Sequence, residues 1–200
     1  DSMSEQYIIT ISREFGSLGR PIARRMSEIL GIMYYDRDIV EEVSKQLQLP
    51  VPTISDVEER APGSYFSMRF PLGNMTSDLQ NKVFRAQQAI ITELADRESC
   101  IIVGRCADYV LREKKNLMRV YIYTSYENKY DNCVNNLSMT PREAKKMIRD
   151  VDQARIAYHM RYAGYMPDEN KDIQIDSAFL GVEGTAWYLC QAAKHRFGVE

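Results

Sequence analysis

Short apolar runs alternate with helix-like segments along the whole chain, and this alternation constrains the fold more than any other feature. Residues 7–11 (YIITI), 100–103 (CIIV) and 118–123 (MRVYIY) are brief, apolar and rich in β-branched side chains, as expected of strands buried on both faces. Residues 32–35 and 173–175 are two shorter strand candidates. The pattern predicts an α/β sandwich on a mostly parallel sheet.

Apolar residues at helical spacing fill the segments between these strands. Thr140, Pro141 and Glu143 together form the signature of a capped helix start. The pattern predicts helices over residues 21–30, 38–47, 77–97, 108–115, 126–137, 141–162 and 182–197.

Residues 49–74 interrupt this regular pattern. Pro50, Pro52, Pro62 and Pro71 all lie here, and no helical spacing is sustained. We therefore predict a long, partly irregular surface segment, and loops of this length are often functional. A chain of 200 residues that is 44% hydrophobic suits one domain carrying such an insert.

Composition argues against several classes of protein. A net charge of -2 does not favour bulk electrostatic binding of nucleic acid. No apolar run approaches the ~20 residues of a membrane span, and the first residues are polar, so a cytoplasmic protein without membrane association is expected. The four cysteines form no CxxC pair, which favours reduced thiols over a zinc site.

Residues 12–20 (SREFGSLGR) lie between the first strand and the first helix, where glycine-rich loops cradle phosphate groups. The ordinary phosphate-loop motif is GxxxxGK[ST]. Anchored on Gly19, its first glycine becomes Glu14, its lysine becomes Arg20, and its hydroxyl residue becomes Pro21. An arginine can still contact phosphate through its planar fork, whereas proline offers Mg²⁺ no hydroxyl.

Two interpretations of this loop stay open on pattern alone: a phosphate site, or a strand–turn–helix corner with structural glycines. Ser17 is the candidate that could supply a hydroxyl to Mg²⁺, and no other metal ligand is predicted. Glu14 would repel a phosphate unless it pairs with an arginine or binds Mg²⁺, and we expect a structural pair. The predicted phosphate- or nucleotide-binding residues are Arg13, Gly16, Ser17, Leu18, Gly19, Arg20 and Pro21.

Four segments, taken in order, resemble the cytidylate kinase-like family, a branch of the P-loop nucleoside monophosphate kinases. They are residues 9–23 (ITISREFGSLGRPIA), 34–40 (YYDRDIV), 101–111 (IIVGRCADYVL) and 152–164 (DQARIAYHMRYAG). The resemblance extends over roughly residues 7–197. It implies a single P-loop NTPase-like domain over residues 1–200, a three-layer sandwich with a five-stranded parallel sheet. A monophosphate-binding insert is then expected near residues 49–85 and a lid near 142–164.

The resemblance also implies an activity, which is phosphoryl transfer from ATP, with Mg²⁺, to CMP or dCMP. The expected partners are small-molecule nucleotides, and both a monomer and a homodimer remain open. Two alternatives stand beside this one. The altered loop could belong to a regulatory nucleotide- or phosphate-binding protein with little turnover, or the acceptor could be a nucleoside or another metabolite.

By position, the resemblance assigns roles to several charged residues. The expected catalytic residues are Arg20, Arg155, Arg161 and Asp36, and the expected acceptor-binding residues are Asp36, Arg37, Arg105 and Asp108. Asp36 and Asp108 could instead cap the helices that follow them. Arg149, Arg155 and Arg161 are six residues apart, a spacing that does not share a helix face. We expect them to converge only if the helix breaks near Asp152.

Overall fold

The computed structural model describes residues 6–51, 54 and 77–200. Its strands are β1 (Ile8–Arg13), β2 (Met33–Tyr35), β3 (Cys100–Val103), β4 (Leu117–Tyr123) and β5 (Ile173–Asp176). These five form one sheet in the order β2-β3-β1-β4-β5, and every neighbouring pair is parallel. The predicted α/β fold with a five-stranded parallel sheet is confirmed. Most of the predicted insert, residues 52–53 and 55–76, lies outside the described residues.

Helices pack on both faces of this sheet. No helix among the described residues is long and apolar enough to cross a membrane. The helices are α1 (Gly19–Leu30), α2 (Arg37–Leu47), α3 (Ser77–Arg97), α4 (Ala107–Val110), α5 (Tyr126–Asn136), α6 (Pro141–Tyr162) and α7 (Ser177–Phe197).

Strand β1 is central, and its alternating side chains divide the core into two layers. Ile9 and Ile11 belong to the cluster that includes buried side chains of α1 and α7. Ile8 points to the opposite face and joins the cluster formed with α2 and α3. All three isoleucines are fully buried, and Thr10 between them is buried as well, as expected of a strand covered on both faces.

Most element boundaries fall close to their predicted places, but α7 begins at Ser177 instead of residue 182, and two further boundaries differ. Helix α1 begins at Gly19 instead of residue 21, so Pro21 still lies in the first turn, where its missing N–H costs nothing. The helix predicted over 108–115 ends at Val110, because the chain then tightens into turns in which Lys114 N–H donates to the Leu111 carbonyl at 2.9 Å. The capping box at Thr140 is confirmed.

Helix α7 contains a buried hydroxyl without a hydrogen-bond partner among the described residues, that of Thr185. A helical threonine ordinarily donates to the carbonyl four residues earlier. Here that residue is Gly181, whose φ of 69° and ψ of -177° interrupt the helix. The lost acceptor explains why the hydroxyl is left unsatisfied.

We expect the Thr185→Val variant to be more stable than the parent chain, by about 1 kcal/mol, because valine keeps the shape and removes the unsatisfied donor. At this chain length the gain corresponds to a rise in Tm of about 2–4 °C. Thr92→Val is the matched control, since Thr92 is exposed and its hydroxyl donates to the Gln88 carbonyl at 2.8 Å. A Tm for Thr185→Val at or below that of the parent would contradict this interpretation.

Candidate active site

The carboxyl ends of the parallel strands meet at one edge of the sheet, and charged residues follow them there. Arg13 ends β1, Asp36 follows β2, and Gly104 and Arg105 follow β3. Ligands bind at this edge in open parallel α/β sheets. The structure therefore brings together residues from the first three of the four segments that carry the family resemblance.

The loop between β1 and α1 is a tight turn with two left-handed positions, Gly16 with φ 78° and Leu18 with φ 64°. A Cβ atom on Gly16 would lie 3.0 Å from the Lys129 carbonyl oxygen and 3.1 Å from Cys133 Sγ, so only glycine fits against α5. The Ser17 hydroxyl is fully buried and donates to the Glu14 carbonyl at 2.7 Å. The Ser17 hydroxyl, which was the candidate ligand of Mg²⁺, is thus hydrogen-bonded within the turn.

Lys129 on α5 connects the loop to the rest of the site. Its ammonium group donates to Glu14 Oε2 at 2.9 Å and to Asp152 Oδ2 at 3.1 Å. Asp152 Oδ1 in turn accepts the Phe15 backbone N–H at 2.7 Å. Glu14 pairs structurally, as expected, although its partner is a lysine. The loop is therefore fixed by α5 and α6 from outside.

Asp36 is the electrostatic centre of this edge. Its carboxylate contacts Arg20 Nη2 at 2.6 Å and Arg105 Nη2 at 3.0 Å. Burial raises the pKa of this carboxyl, but the guanidiniums of Arg105, Arg13 and Arg20 outweigh burial and hold the pKa below its ordinary value. Asp36 does precede α2 as predicted, yet its side chain makes no capping hydrogen bond. The Asp36 carboxylate instead pairs with the arginines.

A small cleft of about 40 Å³ opens beside these groups, lined in part by Arg13, Arg105 and Arg155. Arg155 Nη1 donates to the Arg13 carbonyl at 3.2 Å. On the far side, the Tyr158 hydroxyl donates to Oε1 of the fully buried Gln87 at 3.4 Å. Guanidinium groups dominate the charged lining of the cleft.

Two other predicted arginines lie elsewhere. The Arg37 side chain is 64% exposed and pairs with Glu41 Oε1 at 3.9 Å. Arg161 reaches α3, where its guanidinium donates to Gln80, to Asn81 Oδ1 at 3.2 Å and to the Ser77 carbonyl. Neither side chain reaches the Asp36 cluster in this structure.

The condition for convergence of the α6 arginines, a helix break near Asp152, is not met. The helix is continuous from Pro141 to Tyr162, because the Asp152 carboxylate bonds Phe15 and Lys129 and caps nothing. Arg155 and Arg161 consequently point in different directions. Arg149 pairs with its neighbour Asp150 on the exposed face.

Asp108 belongs to a buried network away from the loop. Its carboxylate accepts from His159 Nε2 at 3.2 Å, from the Tyr165 hydroxyl at 2.9 Å and from Lys171 Nζ at 2.8 Å. His159 Nδ1 lies 2.8 Å from the Tyr165 carbonyl oxygen. This network ties α4 to the end of α6 and to the segment that leads to β5.

Sequence reasoning missed Lys129, Asp152 as a loop partner, and the His159–Lys171 network. Lys129 is 115 residues from Glu14 in the chain and lies in a polar helix without any distinguishing motif. Only knowledge of how α5 packs on the loop reveals it. Lys171, whose side chain is fully buried, lies in a polar stretch that gives no sign of burial.

The residues at this edge fit a polyphosphate better than they fit a protein-bound Mg²⁺. The turn and the start of α1 present backbone N–H groups and guanidiniums, which are the donors that phosphate oxygens need. The nearby carboxylates of Asp36, Glu14 and Asp152 are each already engaged by a cation. No three His, Cys, Asp or Glu side chains of the described ranges gather closely enough to hold a metal.

The Asp108 network predicts a specific loss of stability in acid. Burial raises the pKa of Asp108, but the His159 hydrogen bond and the Lys171 charge outweigh burial and place the pKa well below its ordinary value. The unfolded chain then binds this proton first as pH falls below about 4, so the stabilisation is present at neutral pH and is lost in acid.

We expect Asp108→Asn to be less stable than the parent at pH 7, yet to lose less free energy of unfolding between pH 6 and pH 3. Urea unfolding at a series of pH values measures both quantities. Asp131→Asn, which alters an exposed carboxylate on α5, is the control. Parallel pH curves for the Asp108→Asn variant and the parent would refute the assignment.

Comparison with known proteins agrees with this architecture. The cytidylate kinase-like family model matches residues 8–178. An uncharacterized protein from Eubacterium ventriosum superposes with a TM-score of 0.72 at 22% identity, over 94% of this chain and 99% of that chain. No curated protein matches the sequence.

Two kinases of known substrate share the fold at lower similarity. A gluconokinase from Sinorhizobium meliloti gives a TM-score of 0.55 at 15% identity, over 97% of each chain. Shikimate kinase from Acinetobacter baumannii, in complex with shikimate, gives 0.53 at 13% identity, over 96% of this chain and 92% of that chain. At these identities the likeness is one of fold. The family match spans most of the chain, and the chain therefore belongs to the cytidylate kinase-like family.

Proposed function

We propose that the chain is an ATP-dependent kinase that phosphorylates a nucleoside monophosphate, with CMP and dCMP as the first candidates. Family membership supports a nucleotide or small-molecule kinase. The observation that carries the proposal is the meeting, at one sheet edge, of a phosphate-loop turn with the Arg20–Asp36–Arg105 cluster. Phosphoryl transfer needs positioning and charge stabilisation above all, and guanidiniums supply both.

The state of Asp36 favours a phosphate acceptor over a hydroxyl acceptor. A hydroxyl nucleophile needs a group that takes its proton. Asp36 is held by two guanidiniums with its pKa lowered, which makes it a weak base. The second ionisation of a phosphate monoester has a pKa near 6, so a monophosphate arrives at pH 7 with its nucleophilic oxygen already deprotonated.

In the proposed mechanism, the donor phosphates bind over the turn at Gly16–Gly19 and the first N–H groups of α1. Arg105, oriented by Asp36, binds the phosphate of the acceptor, and Arg20 lies between the two phosphate sites. Arg155, which lines the same cleft, stabilises charge on the phosphoryl group in transit. When bound, Mg²⁺ would neutralise charge on the nucleotide, and no residue described here is assigned as its ligand.

A second candidate function is a nucleotide-responsive regulatory protein with little turnover. It is favoured by the arrangement of the loop, where the Ser17 hydroxyl is buried in the turn and neither Arg20 nor Pro21, at the start of the helix, offers the hydroxyl of the motif. Both candidate functions predict nucleotide binding, but only the kinase predicts substantial turnover.

The test of function is ADP release by the full chain with ATP, Mg²⁺ and each common nucleoside monophosphate, with cytidine, shikimate and gluconate as hydroxyl acceptors. We expect turnover with CMP or dCMP and none with the hydroxyl acceptors. Turnover of a hydroxyl acceptor alone would refute the monophosphate assignment. Nucleotide binding by calorimetry without any turnover would establish the regulatory alternative.

Arg105 provides a residue-level test of the acceptor site. We expect Arg105→Lys to raise the KM for the monophosphate about 10–100-fold while the KM for ATP changes little, since hydrogen bonds to charged groups contribute about 1.5–3 kcal/mol. Arg112→Ala, at the opposite edge of the sheet, is the control. Equal increases in both KM values would contradict the separation of the two sites.

A further inference from the structure

The side chain of Arg13 runs beneath the phosphate-loop turn. Arg13 is the last residue of β1 and is only 8% exposed. A Cβ atom on Gly19 would lie 2.7 Å from Arg13 Cγ and 2.8 Å from Arg13 Cβ. A Cβ atom on Gly104 would lie 2.7 Å from Arg13 Nη1. Two glycines therefore leave the space through which this arginine passes.

Backbone conformation shows how this turn corresponds to the GxxxxGK[ST] motif. Position 18 is left-handed and precedes the helix, and this is where a glycine would be favoured. Gly19 is the first helical residue, with no positive φ. When the second glycine of the motif is placed at Leu18, its lysine falls on Gly19 and its first glycine falls on Arg13.

Relative to the motif, this chain therefore has a cation, Arg13, where the motif has its first glycine, and a glycine, Gly19, where the motif has its lysine. We propose that Arg13 supplies, from the end of β1, the positive charge that the motif's lysine supplies from the start of the helix. Gly19 is then a glycine because Arg13 needs its space, whereas Gly104, at φ 68°, is also favoured as glycine by its own backbone conformation. This inference rests on the proposed function for the identity of its ligand, the polyphosphate of a nucleoside triphosphate.

The surroundings of Arg13 suit this task. Arg155 donates to the Arg13 carbonyl, which fixes the backbone from which the side chain departs. The guanidinium lines the same cleft as Arg105 and Arg155, and its planar fork can engage two phosphate oxygens at once. Arg20, in contrast, is about half exposed and is directed to Asp36.

Charge and packing can be tested separately. Arg13→Met keeps the aliphatic stem and removes the guanidinium, and we expect it to weaken binding of inorganic tripolyphosphate and of ATP at least about 10-fold by calorimetry. Arg24→Met, on the exposed face of α1, is the matched control and should bind as the parent does. Unchanged binding by Arg13→Met would overturn the proposal.

The exchange itself is tested by reversing it. We expect Gly19→Lys alone to lower Tm and binding, because its Cβ collides with Arg13. The double variant Arg13→Gly/Gly19→Lys should recover both, and Gly19→Ala should be destabilising in the parent but tolerated with Arg13→Gly. Such non-additivity is the expected sign of residues in direct contact. Strictly additive changes in Tm and binding would overturn the exchange.

The outcomes also separate this inference from the proposed kinase activity. If the parent binds tripolyphosphate, Arg13→Met does not, and no acceptor is phosphorylated, the role of Arg13 holds and the kinase proposal fails. If CMP is phosphorylated and Arg13→Met binds ATP normally, the kinase holds and the role of Arg13 fails. A parent chain that binds no polyphosphate refutes both.

Discussion

The candidate site depends on one buried carboxylate, Asp36, placed among guanidiniums. A buried charge is costly unless it is paired, and Asp36 is paired with Arg20 from α1 and Arg105 from the end of β3. These groups come from three separate elements, and Arg105 is 69 residues from Asp36 in the chain. The carboxylate therefore fixes where the arginines point, and the chemistry available at this edge follows from that geometry.

Much of the fold could be predicted from the sequence, because strands buried on both faces appear in it as short runs of mostly apolar residues. Ile8, Ile9 and Ile11 illustrate this, since they pack into the two core clusters on opposite faces of β1. The meeting of Arg13, Asp36 and Arg105 was also foreseeable. Residues that follow parallel strands gather at one edge of the sheet whatever the details of packing.

The rest of the site could not be predicted, because it depends on how helix side chains are directed in three dimensions. Lys129 and Lys171 look like ordinary surface lysines in sequence, yet the Lys129 side chain is buried against two carboxylates and that of Lys171 against the Asp108 carboxylate. The sequence likewise left open whether α6 continues past Asp152. That carboxylate is satisfied by partners on the loop and on α5, and local propensity contains no information about them.

The Lys129 contacts have a consequence for the thermodynamics of association. They join Glu14 and Asp152, and Asp152 holds the Phe15 N–H, so the turn is crosslinked to two helices through charge-assisted hydrogen bonds. A turn held in this way is preorganised, and a ligand that occupies it need not freeze the backbone first. The entropy lost on binding then falls mainly on the ligand, which leaves more of the interaction energy for affinity.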